Sequence, residues 1–151
     1  MLYCKLGADG RYEDLIKLPG GGSRNPVTAE TLARGDHFLQ MKGREVYKFA
    51  VTKMIEITED AIRKCNLSID DIGLLIPHQV NMRIIESAAE KLSIPMEKVF
   101  VNIDRYGNTS AASIPVALKE AVDAGRLKKG DIAVMAAFGA GLTWGSAVVR
   151  G

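Results

Sequence analysis

The stretch Ile132-Ala133-Val134-Met135-Ala136-Ala137-Phe138-Gly139-Ala140-Gly141-Leu142-Thr143-Trp144-Gly145-Ser146-Ala147-Val148-Val149 decides how the chain must be read. It carries no charge, and Gly141 and Gly145 have the G-x-x-x-G spacing used where membrane helices pack. Three glycines, Thr143 and Ser146 argue against a span. The run divides at Gly139-Ala140-Gly141 into Ile132–Phe138 and Leu142–Val149, each with the length of a buried strand. A short glycine turn makes two such strands antiparallel neighbours.

Upstream, strands and helices alternate. Ile72–Ile76 is a continuous apolar run of strand length stopped by Pro77. Asn81 can cap a helix whose apolar face is Ile84, Ile85, Ala88, Ala89 and Leu92. Val99–Ile103 reads as a further strand, and a helix lies within Thr109–Ala124. Pro115 fits the first turn of that helix, which makes Ser113 its cap, and Gly125 stops it. Arg44–Cys65 has apolar residues mostly at three- and four-residue spacing, as in a half-buried helix. At the start, Gly7-Ala8-Asp9-Gly10 separates two short apolar stretches, residues 2–6 and 11–17, which predicts a hairpin. Gly20-Gly21-Gly22-Ser23-Arg24-Asn25-Pro26 opens an irregular polar segment that runs to about Gly43. Alternation of this kind implies crossover connections and a mixed sheet covered by helices, an α/β fold.

Composition agrees and sets function classes aside. The chain has 151 residues, a formal charge of +2 and 47% hydrophobic residues. That is the balance of one globular domain, neither a disordered chain nor a basic nucleic-acid binder. Met1-Leu2-Tyr3-Cys4-Lys5-Leu6-Gly7 has no basic region followed by an apolar stretch, so a cytoplasmic setting is the default expectation. Cys4 and Cys65 form no C-x-x-C pair and read as reduced thiols.

Two histidines occur. His37 lies in the irregular segment beside Phe38 and Leu39, with no metal-ligand spacing nearby, and reads as a surface or packing residue. His78 follows a buried strand, at the carboxyl end of the sheet where open α/β folds gather their sites. Asn108 holds the corresponding place after the next strand. The residues alone leave a structural His and a turn-forming Asn as open as a catalytic pair. The Gly139–Gly145 loop is either a tight hairpin or a set of backbone N–H donors for an oxyanion. It is not a dinucleotide loop, because no amphipathic helix or acidic residue follows, and Gly20-Gly21-Gly22 lacks the Gly-Lys-Ser/Thr of a nucleotide loop. Arg83, Ser87 and Lys91 share one helix face, giving a solvated stripe or a surface for an acidic partner.

Three segments, taken together, resemble β-ketoacyl-acyl carrier protein synthase III. They are Pro77-His78-Gln79-Val80-Asn81-Met82-Arg83-Ile84, Arg105-Tyr106-Gly107-Asn108-Thr109-Ser110-Ala111-Ala112-Ser113, and Phe138-Gly139-Ala140-Gly141-Leu142-Thr143-Trp144-Gly145. Met41-Lys42-Gly43-Arg44-Glu45-Val46-Tyr47-Lys48 is similar to the entry into that family's first C-terminal helix. The resemblance spans nearly the whole chain, residues 1–151 as one domain, but only the C-terminal half of the family. It implies half of a thiolase-like fold, a mixed five-stranded sheet covered by helices, without the half that bears the nucleophilic cysteine.

For the complete enzyme the resemblance implies decarboxylative condensation of acetyl-CoA or another short acyl-CoA with malonyl-acyl carrier protein, giving a 3-oxoacyl product. By that resemblance His78 and Asn108 hydrogen-bond the malonyl thioester oxygen as the enolate forms. The Ala140 N–H helps form an oxyanion hole, and Phe138 lies beside the active cysteine. Gly43, Tyr47 and Asn81 match positions near the pantetheine tunnel, and Arg83, with Lys48 and Lys91, matches carrier-protein contacts. Acyl-CoA and the malonyl carrier are substrates; no metal or other cofactor is implied.

The expected partners are acyl carrier protein and an N-terminal half, or a second copy covering the face that this half would cover, with no nucleic acid and no membrane. The chain alone is expected to be inactive. Alternatives are half of a type III polyketide synthase-like enzyme, which also uses Cys, His and Asn, and a non-catalytic carrier-binding module.

Overall fold

The uncharged C-terminal run forms an antiparallel hairpin, and no helix of the protein is long and apolar enough to cross a membrane. A computed structural model describes residues 1–151. In chain order the elements are β1 (Tyr3–Ala8), β2 (Ile16–Lys17), α1 (Ala29–Ala33), β3 (Gln40–Met41), α2 (Gly43–Lys64), β4 (Ile72–Pro77), α3 (Met82–Lys91), α4 (Ile103–Tyr106), α5 (Ser113–Asp123), β5 (Ile132–Gly139) and β6 (Thr143–Arg150). The main sheet has the order β1-β6-β5-β4. β4 and β5 run parallel, while β6 is antiparallel to both β5 and β1, so the sheet is mixed as the alternation predicts.

The two faces of this sheet are covered unequally. Ile132, Val134, Ala136 and Phe138 alternate along β5 toward α2 and α3, where they meet Val51, Met54, Ala61, Ile85 and Ala88 in the two larger core clusters. On the opposite face, α5 packs Ala117 and Ala121 with Leu74, Ile76, Phe100 and Ala133, and Met135 and Val149 lie against this cluster. Past Met135, the residues Ala137, Gly145 and Ala147, together with Leu6 of β1, continue that face and line a cavity. The expected cover of helices is therefore complete on one side and partial on the other.

Two sequence expectations fail for identifiable reasons. The hairpin predicted at residues 2–17 does not form. Asp9 caps a 3₁₀ helix at Gly10–Leu15 by accepting from the Arg11 N–H, and its backbone pairs with Leu142. β1 pairs with β6, far away in sequence, and β2 pairs with β3. The fifth strand, predicted at Val99–Ile103, shrinks to one parallel bridge between Leu75 and Val99. Beyond it, the side chain of Gln79 takes the backbone groups a strand ladder would use. Its Nε2 donates to the Phe100 carbonyl at 3.1 Å, and its Oε1 accepts from the Asn102 N–H at 2.9 Å.

The remaining boundaries follow local chemistry. Asn81 caps α3, accepting from the Arg83 N–H at 2.9 Å. Asn66 at φ 53° and Gly125 at φ 66° turn the chain out of α2 and α5 in the left-handed region. Ser113 is the first residue of α5 rather than its cap, which is Ala112, and Pro115 lies within the first turn.

Asp60 of α2 ties β1 to the helix layer: its carboxylate accepts from Tyr3 Oη at 3.0 Å, Lys5 Nζ at 2.8 Å and Arg63 Nη2 at 2.7 Å. The Lys5 ammonium, then Arg63 and Tyr3, hold this carboxyl far below its ordinary range. A carboxylate depressed in the folded state stabilises above its unfolded value and loses that contribution as pH falls through the folded one. Asp60→Asn is expected to melt at lower temperature than the parent at pH 7, with the gap shrinking progressively below about pH 4. Thermal melts of both proteins across the acid range check this; a gap that stays constant with pH would assign the loss to packing instead.

Candidate active site

His78 is placed by strand geometry. It directly follows β4, and its N–H donates to the Ala136 carbonyl of β5 at 2.8 Å, fixing its backbone to the sheet end. Its ring is buried, stands edge-on to Phe138 with centroids 6.0 Å apart, and has Nδ1 2.6 Å from the hydroxyl of Ser113 on α5. Burial pushes the imidazole below its ordinary value, toward the neutral form. Nε2 has no protein hydrogen-bond partner and is not sealed from the cavity that His78 lines.

Asn108 reaches the same cavity from the next loop. Its Oδ1 accepts from the Ser110 N–H at 2.9 Å, which orients the amide and leaves Nδ2 with no protein partner. Ser110 adopts φ 53°, a left-handed conformation unusual for a residue with a Cβ, and it is part of this tight turn. The turn is anchored from behind. Glu120 of α5 accepts from Asn102 Nδ2 at 2.8 Å, from both Arg105 Nη atoms at 3.1 and 2.6 Å, and from Tyr106 Oη at 2.5 Å. Hydrogen bonds from Tyr106 first, then Asn102, lower the Glu120 carboxyl, with the Arg105 charge adding to them. α4 is thereby clamped one residue before Gly107-Asn108.

The cavity that these side chains share has a volume of about 870 Å³. Phe138 and Ala140 also line it, so four of the residues expected from sequence converge there. The Ala140 N–H donates to no backbone carbonyl. Gly43, Tyr47 and Asn81 do not line the cavity; they sit at the starts of α2 and α3, with Tyr47 and Asn81 adjacent in sequence to Val46 and Val80, which do. Tyr47 Oη lies 2.7 Å from Ser87 Oγ, bolting α2 to α3 within the stripe that carries Arg83 and Lys91. Arg83, Lys48 and Lys91 are exposed and take no part in the ion pairs of the protein.

His37 is exposed, its ring tilted 40° to that of its neighbour Phe38 with centroids 4.0 Å apart. Cys4 and Cys65 are free thiols; Cys4 lines the open part of the cavity on β1. No group of three His, Cys, Asp or Glu side chains is placed to hold a metal.

Sequence reasoning missed Gln79, Glu120 and the role of Ser113. Gln79 is 1% exposed. A polar residue directly after a buried strand and His78 was the available signal. Its side chain joins the strand end carrying His78 to the segment leading to Asn108.

The comparisons with known proteins converge. Residues 62–151 match the family model described as 3-oxoacyl-[acyl-carrier-protein (ACP)] synthase III C terminal. The chain is 56% identical over 150 residues to the beta-ketoacyl-[acyl-carrier-protein] synthase III of Roseiflexus sp. (strain RS-1), covering 99% of this chain and 46% of that protein. Among solved structures, 3-oxoacyl-[acyl-carrier-protein] synthase III from Aquifex aeolicus superimposes with a TM-score of 0.86 at 43% identity, over 99% of this chain and 44% of that one. The Thermus thermophilus synthase III structure gives a TM-score of 0.86 at 47% identity, over 99% and 46%. The chain thus spans a little under half the length of these relatives, and its α/β architecture is that of the C-terminal half of a thiolase-like fold.

Gln79→Leu keeps the apolar volume but strips partners from the buried Phe100 carbonyl and Asn102 N–H. It is expected to cost about 2 kcal/mol or more. Chemical denaturation of the purified variant measures this; a loss well under 1 kcal/mol would show that those backbone groups find other partners.

Proposed function

Because the chain belongs to the 3-oxoacyl-[acyl-carrier-protein] synthase III family, we propose that it supplies the decarboxylating half of a condensing enzyme that starts fatty-acid chains. The observation that carries this reading is the convergence of His78, Asn108, Phe138 and Ala140 on one cavity. That cavity opens on the sheet face that α5 leaves uncovered, which is the seat for a second half bearing a cysteine nucleophile. An apolar face of this kind also favours association with that half or with a second copy.

The chemistry follows from which atoms are free to donate. In the assembled enzyme, the partner half's cysteine takes the acyl group of an acyl-CoA as a thioester, releasing CoA. The malonyl thioester then enters with its carbonyl oxygen between His78 Nε2 and Asn108 Nδ2. Breaking the bond to the carboxylate releases CO2 and leaves the electron pair on the enolate, whose oxygen these two donors stabilise. The enolate carbon attacks the acyl thioester, the Ala140 N–H faces the oxyanion that develops there, and collapse expels the cysteine thiolate. Two neutral donors in a partly enclosed site suit this step, since a charged imidazolium would be disfavoured by the burial of His78.

Gly43, Tyr47 and Asn81, at the starts of α2 and α3, flank the approach of a pantetheine arm. The exposed, unpaired Arg83, with Lys48 and Lys91, suits an acidic carrier protein, chiefly by steering its docking. This favours malonyl-carrier over malonyl-CoA as the extender, and so separates the proposal from a type III polyketide synthase-like activity.

The test pairs this chain with the N-terminal half of the Roseiflexus relative and follows CO2 release separately from acylation of the partner's cysteine. The chain alone is expected to be inactive and the pair active. His78→Ala and Asn108→Ala should each lower CO2 release by about 10²–10³-fold while leaving acylation in place. Acylation of Cys4 or Cys65 in the isolated chain, or CO2 release that is indifferent to both substitutions, would refute the proposal.

Carrier docking has its own measurement. Arg83→Glu is expected to weaken malonyl-carrier binding several-fold at low salt and to flatten its salt dependence. A calorimetric titration at two ionic strengths reads both, and an unchanged affinity and salt slope would remove Arg83 from the interface.

A further inference from the structure

Ser113 lies between the His78 ring and the backbone of Gln79. The residue is 2% exposed, and its hydroxyl has two neighbours within hydrogen-bond reach: His78 Nδ1 at 2.6 Å and the backbone N–H of Gln79 at 3.4 Å. An amide N–H can only donate, so toward Gln79 the serine oxygen accepts. The one hydrogen of the hydroxyl has the Nδ1 lone pair of His78 as its acceptor within reach. No carbonyl takes it instead: serine at the start of a helix often bonds a backbone carbonyl in the preceding turn, and here no such bond is made. Were Nδ1 to carry the imidazole proton, Ser113 would accept twice and leave a buried O–H without an acceptor.

We propose that Ser113 is a positioning residue that fixes His78 in the tautomer protonated at Nε2, by donating its hydroxyl hydrogen to Nδ1. The inference deepens the reading of His78 as a neutral donor to a thioester oxygen, and rests on that reading for its functional meaning. A neutral imidazole offers one donor and one acceptor, and in water the two tautomers exchange freely. In the wrong tautomer His78 would present a lone pair to the substrate oxygen and repel it. The backbone of His78 is locked to Ala136 and its ring lies against Phe138, so rotation of the ring gives no easy escape. α5 carries both Ser113 and Glu120, so one helix sets the proton position on His78 and clamps the loop that presents Asn108.

The isolated chain is sufficient for the test, because the tautomer exists without substrate. Histidine ring nitrogens labelled with ¹⁵N give two sets of resonances, and exposed His37 serves as an internal reference. The parent chain is expected to show His78 with Nε2 protonated and Nδ1 as a hydrogen-bonded acceptor. Ser113→Ala should move the tautomer ratio about tenfold toward the Nδ1-protonated form, and Ser113→Thr, which keeps the hydroxyl, should hold the parent ratio. A parent spectrum with Nδ1 protonated overturns the proposal even if the alanine variant does not fold. An unchanged ratio in a folded Ser113→Ala chain overturns it as well. Failure of CO2 release in the assembled enzyme would instead count against the decarboxylation reading and leave the tautomer result standing.

Discussion

The side-chain amide of Gln79 is the contact on which the geometry of the site depends. It lies between the end of β4 and the segment at Phe100–Asn102, bonding the Pro77 and Phe100 carbonyls and the Asn102 N–H. The residue before it is His78, and the segment it grips leads through α4 to Asn108. A regular ladder at this place would have continued a strand past Asn102. By ending the pairing with a side chain, the protein frees the backbone to turn into α4 and bring an asparagine to the cavity that the histidine lines. A buried amide with both ends satisfied is rigid, because each lost bond leaves a buried polar group unpaired.

α5 completes the arrangement from the other side. Its first residue touches the histidine ring and its Glu120 holds Asn102, Arg105 and Tyr106, while Ala117 and Ala121 seat the helix on β4 and β5. Small residues on that face let the helix sit close to the sheet, and the same economy continues beyond the helix edge. Ala137, Gly139, Gly145 and Ala147 keep the uncovered part of the sheet low, so that an open cavity remains above it.

Much of this was readable in the sequence because it depends on local rules. Both C-terminal strands followed from an uncharged run broken by glycines, and α2 and α3 followed from their apolar spacing, with Asn81 as a recognisable cap. His78, Asn108, Phe138 and Ala140 were singled out by motif resemblance, and the fold brings them to one cavity. The failures share a cause: each needed a partner distant in the chain. β1 looked like half of a local hairpin, yet its partner β6 lies at the far end of the sequence. Val99–Ile103 has strand composition, and only the tertiary position of Gln79 explains why pairing stops. Ser113 had the residue type of a helix cap, and a cap and a histidine partner cannot be told apart without knowing what lies across the gap.

Trp144, the single tryptophan of the chain, stands across from Gly7 in the β1–β6 register, so close that a Cβ on Gly7 would lie 2.4 Å from its Nε1. The ammonium of Lys53 lies 4.4 Å from its ring, and its remaining edge belongs to the cavity wall. The protein thus carries an intrinsic optical reporter at the seam between the edge strand, the helix layer and the open face. Fluorescence from this one indole reports on the packing of that seam, without any label being added.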